Sequence, residues 1–385
     1  MKKTSPQPLS KGEGQYIVPN CRPDAYRDAT SAHWCISILA HQQFVLRTLY
    51  IVLAFSACRR PPTVPSQPLI DKGSHPMYIS CEGNYGWGNG SVSVYNPQTK
   101  QVTEDLFFQA NGYKAGDVVQ SITAFNNKLY LTVNNSGKVM VLDPATFKVL
   151  ATISGLRSPR YFLGVNAGKA YVSDLYANDV SVVDLNTNTI AKTISLSGWT
   201  EGMTLWQGKV YVCNERTDYV YIIDPASDKL TDSVLAAYGS QSLVVDKNNC
   251  LWVACVGDTL LGKTGMLVLL QPGTQPKPFS FTVGMGGYTH PHHLCLNPAG
   301  DTLYFLNKDI YRMKVETQAP LNPMLWVAAA KRNFYSLGIH PHTGHIYVAD
   351  AIDYVSKGRA FCLSPTATIL DSFRTGITPG GFWGQ

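Results

Sequence analysis

Charge is scarce in this sequence. Only 15% of its 385 residues are Asp, Glu, Lys or Arg, against 45% hydrophobic. That balance excludes a disordered, highly charged chain. The net charge is +6, yet the main basic pair, Arg59-Arg60, stands ahead of the repeated part of the chain. No nucleic-acid surface is expected from such a distribution. Long apolar runs are also missing. TLYIVLAFSA at 48–57 is ten residues long, too short to span a bilayer as a helix. Nine cysteines are present without a single C-x2-C pair, which excludes the usual zinc frameworks. G-x-S-x-G and H-E-x-x-H motifs are absent as well.

What the chain does have is an aromatic period. Tyr78, Tyr130, Tyr171, Tyr211, Trp252, Tyr304 and Tyr347 each open a short β-rich run, with gaps by subtraction of 52, 41, 40, 41, 52 and 43 residues. A period near 40 with strand-type sequence predicts an all-β fold, a seven-bladed β-propeller with one repeat per four-stranded blade. The 32 Gly and 23 Pro suit many strands joined by tight turns. A ring of blades counts as one domain despite its length, because each blade buries its faces against its neighbours.

The repeat beginning KAYVSDLYANDVSVVDLNTNTIAKTISL splits into strands near 170–173, 180–184 and 189–196. Asn96-Pro97, Asp143-Pro144 and Asp224-Pro225 supply turn chemistry at equivalent places. The segment before each aromatic supplies the inner strand. The first repeat lacks one, and the C-terminal TPGGFWG has no strands after it. Strand 377–383 is therefore expected to close the ring by joining the first three strands, which removes exposed edges. Deleting the last nine residues should destabilise the whole domain. Six cysteines fall inside the repeats, mostly in apolar strands where Cys acts as a small hydrophobe.

The N-terminal part divides into a precursor region, 1–57, and a Pro-rich tether, 58–75, ahead of the propeller at 76–385. Residues 48–57 have the length of a secretory h-region. Ser56 and Ala57 before Cys58 resemble a bacterial lipoprotein signal, which would make Cys58 the acylated N-terminus; Phe55 departs from the usual Leu. Residues 1–45 do not fit a signal n-region, so translation is expected to begin near residue 46. RRPPTVPSQP after Cys58 reads as an extended stalk. A single acyl-bearing Cys anchors without a transmembrane helix.

YVSDLYANDVSVVDLNTNTI at 171–190 and YVCNERTDYVYIIDPAS at 211–227 resemble the YVTN repeat of bacterial surface propellers. IYVADAIDYVSKGRAFCLSP at 346–365 is similar to the YncE-like propeller lipoproteins. The resemblance covers roughly residues 76–385 and implies an outer-membrane lipoprotein facing the periplasm or the cell surface. One branch, the BtuG-type propellers, captures cobalamin beside an outer-membrane transporter; no motif here singles that branch out. Arg59-Arg60 replaces the acidic run that often directs such lipoproteins to the surface. The resemblance specifies fold more than ligand, because one fold hosts many functions.

Aligning the inner strands places Gln120, Arg160, Glu201, Gln241, His292, Tyr335 and Gly380 near the channel mouth. Scaffold positions repeat, so a mixed polar ring at one level points to a ligand site. Loops on that face add Tyr85, Trp87, Asp174, Tyr176, Trp199 and Tyr354, with Glu215, Asp350 and Asp353 also there; Tyr161, Tyr238, Tyr288 and Phe334 are expected near the rim. Aromatics with hydrogen-bonding tips suit a large, partly flat ligand or a partner surface. In His290-Pro291-His292-His293, strand alternation puts His290 and His292 on one side and His293 on the other. Two imidazoles could meet a metal, or one a corrinoid or haem iron. No third ligand is near in sequence, and neither a metal nor a cofactor is expected. The expectation is a non-catalytic binding propeller for a ligand such as a cobalamin-like nutrient, passed to an outer-membrane transporter. The alternative is a lactonase-type hydrolase using Glu201 or His292 as base and Arg160 as anion holder.

Overall fold

A computed structural model describes residues 75–273, 289–315 and 322–384, and the backbone of 277–279. Its strands form seven sheets of four, each an antiparallel meander with the inner strand at one edge. This is the seven-bladed ring that the aromatic period predicts. The aromatics are second-strand residues whose rings pack between blades. Tyr78, Tyr130, Tyr171, Trp252, Tyr304 and Tyr347 are buried, and Tyr211 is half-buried. Tyr130 stacks on Phe162 of the next blade, with centroids 3.8 Å apart. Such stacked aromatics join neighbouring sheets by area and by ring geometry together.

The ring closes as the sequence suggests. The C-terminal strand Pro379–Gly384 is hydrogen-bonded to Met77–Cys81, which pairs onward with Ser91–Asn96 and Gln101–Thr103. Tyr78 lies opposite Trp383 and Ile79 opposite Phe382. The third repeat's strands run Lys169–Asp174, Asp179–Asp184 and Thr189–Ser195. The long gap between Tyr78 and Tyr130 holds a one-and-a-half-turn helix, Leu106–Asn111, which periodicity alone did not reveal. Its N-cap Asp105 accepts from the Phe108 amide, and Leu106 and Phe107 bury against the first two blades.

One irregularity recurs and matters for function. All seven inner strands lose register near the channel mouth, between Val119 and Ser121, Pro159 and Phe162, Thr200 and Met203, Ser240 and Ser242, His292 and Cys295, Phe334 and Ser336, and opposite Ser80 and Cys81. A β-bulge places two residues against one, so successive side chains no longer alternate faces there. Gln120 and Ser121 accordingly line the same cavity, as do Gly380 and Gly381.

All six cysteines of the repeats are free thiols, five of them buried. Among the described residues no helix is long and apolar enough to cross a membrane. The precursor region, residues 58–74 of the tether with Cys58 and Arg59-Arg60, Cys21, Cys35 and Tyr288 lie outside the described residues.

Candidate functional site at the mouth of the channel

Three members of the mixed ring, Gln120, Arg160 and Glu201, form one hydrogen-bonded network in three dimensions. Arg160, in the bulge of strand Pro159–Asn166, donates from Nε to Glu201 Oε1 at 2.7 Å and from Nη1 to Gln120 Oε1. Three consecutive blades thus meet through one guanidinium. Across the channel the Tyr335 hydroxyl donates to the Glu82 carboxylate, 3.1 and 3.2 Å from its two oxygens. Gln241 donates to Glu215 Oε1 at 2.9 Å. Gly380 supplies no side chain to the ring; a Cβ there would stand 2.4 Å from Glu82 Oε1. The glycine makes room for a carboxylate from the neighbouring strand.

Glu82 is the residue that alignment of the inner strands missed. It follows strand Met77–Cys81, four positions after Tyr78, just as Glu215 comes four positions after Tyr211. Aligning the position after the second strand would have revealed it beside Glu215.

Electrostatics set this site apart. Glu201 is 0% exposed, and its Oε2 has no hydrogen-bond partner. Burial pushes its carboxyl up to about 8, Arg160 works against that rise, and Glu215 and Glu82 add to it. Burial also raises Glu82, opposed by Arg160 and Tyr335. Burial disfavours the Arg160 charge, but the Glu201 carboxylate more than offsets it and keeps the guanidinium protonated. Glu201 is hydrogen-bonded to the guanidinium, and Glu82 and Glu215 act on it through their charge.

Two cavities open here. The outer one, about 400 Å³, is lined by Glu82, Asn134, Arg160 and Tyr335, with Tyr85, Tyr176 and Tyr354 at its rim. The inner one, about 170 Å³, is lined by Gln120, Tyr161, His293 and Gly380 among others. Tyr354 meets Tyr335 edge-on at 5.5 Å, so rim and floor are in contact.

Other predicted residues have different surroundings. Asp174 is 1% exposed: Oδ2 accepts from the Arg157 and Ser158 amides, and Oδ1 from the Tyr176 and Ala177 amides. A carboxylate so engaged holds two loops together and has no oxygen facing the cavity. Trp199 lies under the Arg216 guanidinium at 3.7 Å and meets Tyr176 at 5.3 Å, supporting the rim from outside. Trp87 is 78% exposed and away from both cavities.

The histidine reading needs correction. His292 Nδ1 bonds the His290 carbonyl at 2.8 Å, and His290 Nδ1 bonds that of Val256 at 2.6 Å. His293 reaches the inner cavity instead, with φ of 50°. The bulge breaks the alternation on which the expectation rested. Burial pushes the His293 imidazole down to about 3, so it is neutral. His340, His342 and His75 cluster elsewhere, with His340–His342 centroids 5.9 Å apart. Among the described residues no group of three His, Cys, Asp or Glu is arranged to hold a metal.

Comparison with known structures agrees on fold. The chain is similar to a putative 6-phosphogluconolactonase from Bacteroides fragilis, at 13% identity and TM-score 0.61, covering 82% of this chain and 99% of that one. It is similar to a periplasmic gluconolactonase of Pseudomonas aeruginosa, at 14% identity and TM-score 0.62, covering 80% and 99%. A quinonprotein alcohol dehydrogenase-like protein from Bacteroides thetaiotaomicron gives 14% identity and TM-score 0.60, covering 82% and 79%. At such identities the likeness is one of fold. No curated protein matches the sequence. Residues 75–360 match the family described as a domain of unknown function, DUF5074, and the chain belongs to that family.

Proposed function

We propose that this propeller binds a ligand at the channel mouth and does so without catalysis. The observation that carries the reading is the buried Glu201 Oε2, which no protein group satisfies. A buried acceptor without a partner costs about 1–3 kcal/mol, more when charged. A bound donor would relieve that cost. Arg160, which Glu201 holds, lines a cavity of about 400 Å³ where Tyr85, Tyr176 and Tyr354 offer flat apolar area with polar tips.

A corrinoid suits this chemistry. It is a flat macrocycle edged with carboxamide arms, which donate to carboxylates and pack against aromatic rings. In this reading the protein is a lipoprotein acylated at Cys58. It holds a cobalamin-like nutrient at the outer membrane for delivery to a transporter. The lactonase-type alternative would use Glu201 as acid or base and Arg160 to hold an anion. Arg160 is already bound by Glu201 and Gln120, and Glu82 and Glu215 also act on it, so it has little charge left to hold an anion. That arrangement favours binding over hydrolysis.

The test is gel filtration of the purified protein with cyanocobalamin, alongside a gluconolactone hydrolysis assay. Co-eluting colour with no turnover is the expected result. No retained colour sinks the corrinoid reading, and turnover lost in Glu201→Gln sinks the non-catalytic one.

A further inference from the structure

We infer that the mouth pocket is selective by charge: it takes a ligand group that brings N–H donors and no negative charge, and it excludes carboxylates and phosphates. An ammonium, a guanidinium or a carboxamide qualifies. This rests on the reading that the pocket binds a ligand, and it names the chemistry by which it does so.

Two independent observations carry it. The first is the charge count within one network. Glu82, Glu201 and Glu215 all act on Arg160, and Arg160 is the cation that their interactions share. Its guanidinium already faces Glu201 and Gln120. An incoming anion would find an engaged cation and three acidic groups. The second is Glu201 Oε2, wholly buried and without a partner. Once the carboxyl is ionised, as a bound cation would favour, that oxygen only accepts, so its complement is a donor. Charge-assisted N–H donors are the strongest available complement.

The fold maintains this polarity. Gly380 leaves open the space that the Glu82 carboxylate fills. Tyr335 donates to Glu82 and presents no positive charge to balance it. Rejection of anions also follows from low effective dielectric, where like charges repel far more than in water.

Two experiments separate this inference from the corrinoid reading. Thermal shift is measured with agmatine, which carries a guanidinium and an ammonium, and with 6-phosphogluconate at matched ionic strength. Agmatine should raise Tm and 6-phosphogluconate should not. The agmatine effect should vanish in Glu82→Gln and in Glu201→Gln. Equal stabilisation by the two compounds, none by agmatine, or an undiminished shift in both variants overturns the inference whatever happens with cobalamin. Titration then compares cyanocobalamin with its monocarboxylic derivatives, in which one carboxamide has become a carboxylate. At least one derivative should bind about tenfold or more weakly, since a donor is replaced by a charged acceptor. If cyanocobalamin binds and every derivative binds equally well, the corrinoid reading stands and charge selection falls.

Discussion

Removing residues 377–385 should abolish cooperative folding of the propeller. The final strand pairs with Met77–Cys81 at five positions, so its loss leaves the first sheet without an inner edge. Backbone hydrogen bonds contribute about 1 kcal/mol each. Trp383 and Phe382 pack half-buried against the clusters around Tyr78 and Tyr347, and burial of such side chains contributes roughly 2 kcal/mol apiece. The combined loss is comparable to the 5–15 kcal/mol by which typical domains are stable, about the whole margin. A milder perturbation isolates one part of it. Trp383→Ala removes the ring 5.0 Å from Tyr78 and should cost roughly 2–3 kcal/mol, less than a fully buried Trp. That corresponds to a Tm lower by roughly 3–5 °C in a domain of this size. Calorimetry of the two variants is the assay. A truncated chain that unfolds in one transition near the wild-type Tm would refute the closure argument.

Asp174→Ala should cost about 2 kcal/mol by freeing four backbone amides, and hydrogen exchange should quicken at Arg157, Ser158, Tyr176 and Ala177. Unchanged exchange there would contradict the clamp. Stability should fall as pH drops from about 6.5 towards about 4, because the unfolded chain protonates His340 where burial in the fold resists it. Denaturant titration of His340→Gln should show a shallower fall, and an identical slope would exclude this histidine as the cause. Glu201 has the opposite sign: its carboxyl is raised in the fold, so stability declines as pH climbs from about 4.5 to about 8 and then levels. Glu201→Gln should lose that decline; a variant with the wild-type pH profile would show that Glu201 is not its source.

Blade number, the order of strands and the C-terminal closure were legible in the sequence, because packing between blades demands an aromatic at one fixed place in every repeat. The polar ring was legible for the converse reason, since its members obey no repeat. Glu82 was hidden because it comes from the start of a second-strand loop and fills the space of Gly380 from a strand distant in sequence. His292 and His293 were exchanged because a bulge has no clear mark in an apolar-polar pattern. Asp174 has the composition of a site residue, and only hydrogen-bond geometry reveals that its oxygens are bound to backbone amides. Cys58 and the stalk belong to a segment outside the described residues.

The central claim is that the channel mouth binds a ligand through Glu201. Isothermal titration of cyanocobalamin into the wild type and into Glu201→Gln tests it most directly. The account predicts saturable one-to-one binding that weakens about tenfold or more in the variant, the loss of one charge-assisted hydrogen bond. Equal affinity in both proteins would contradict it.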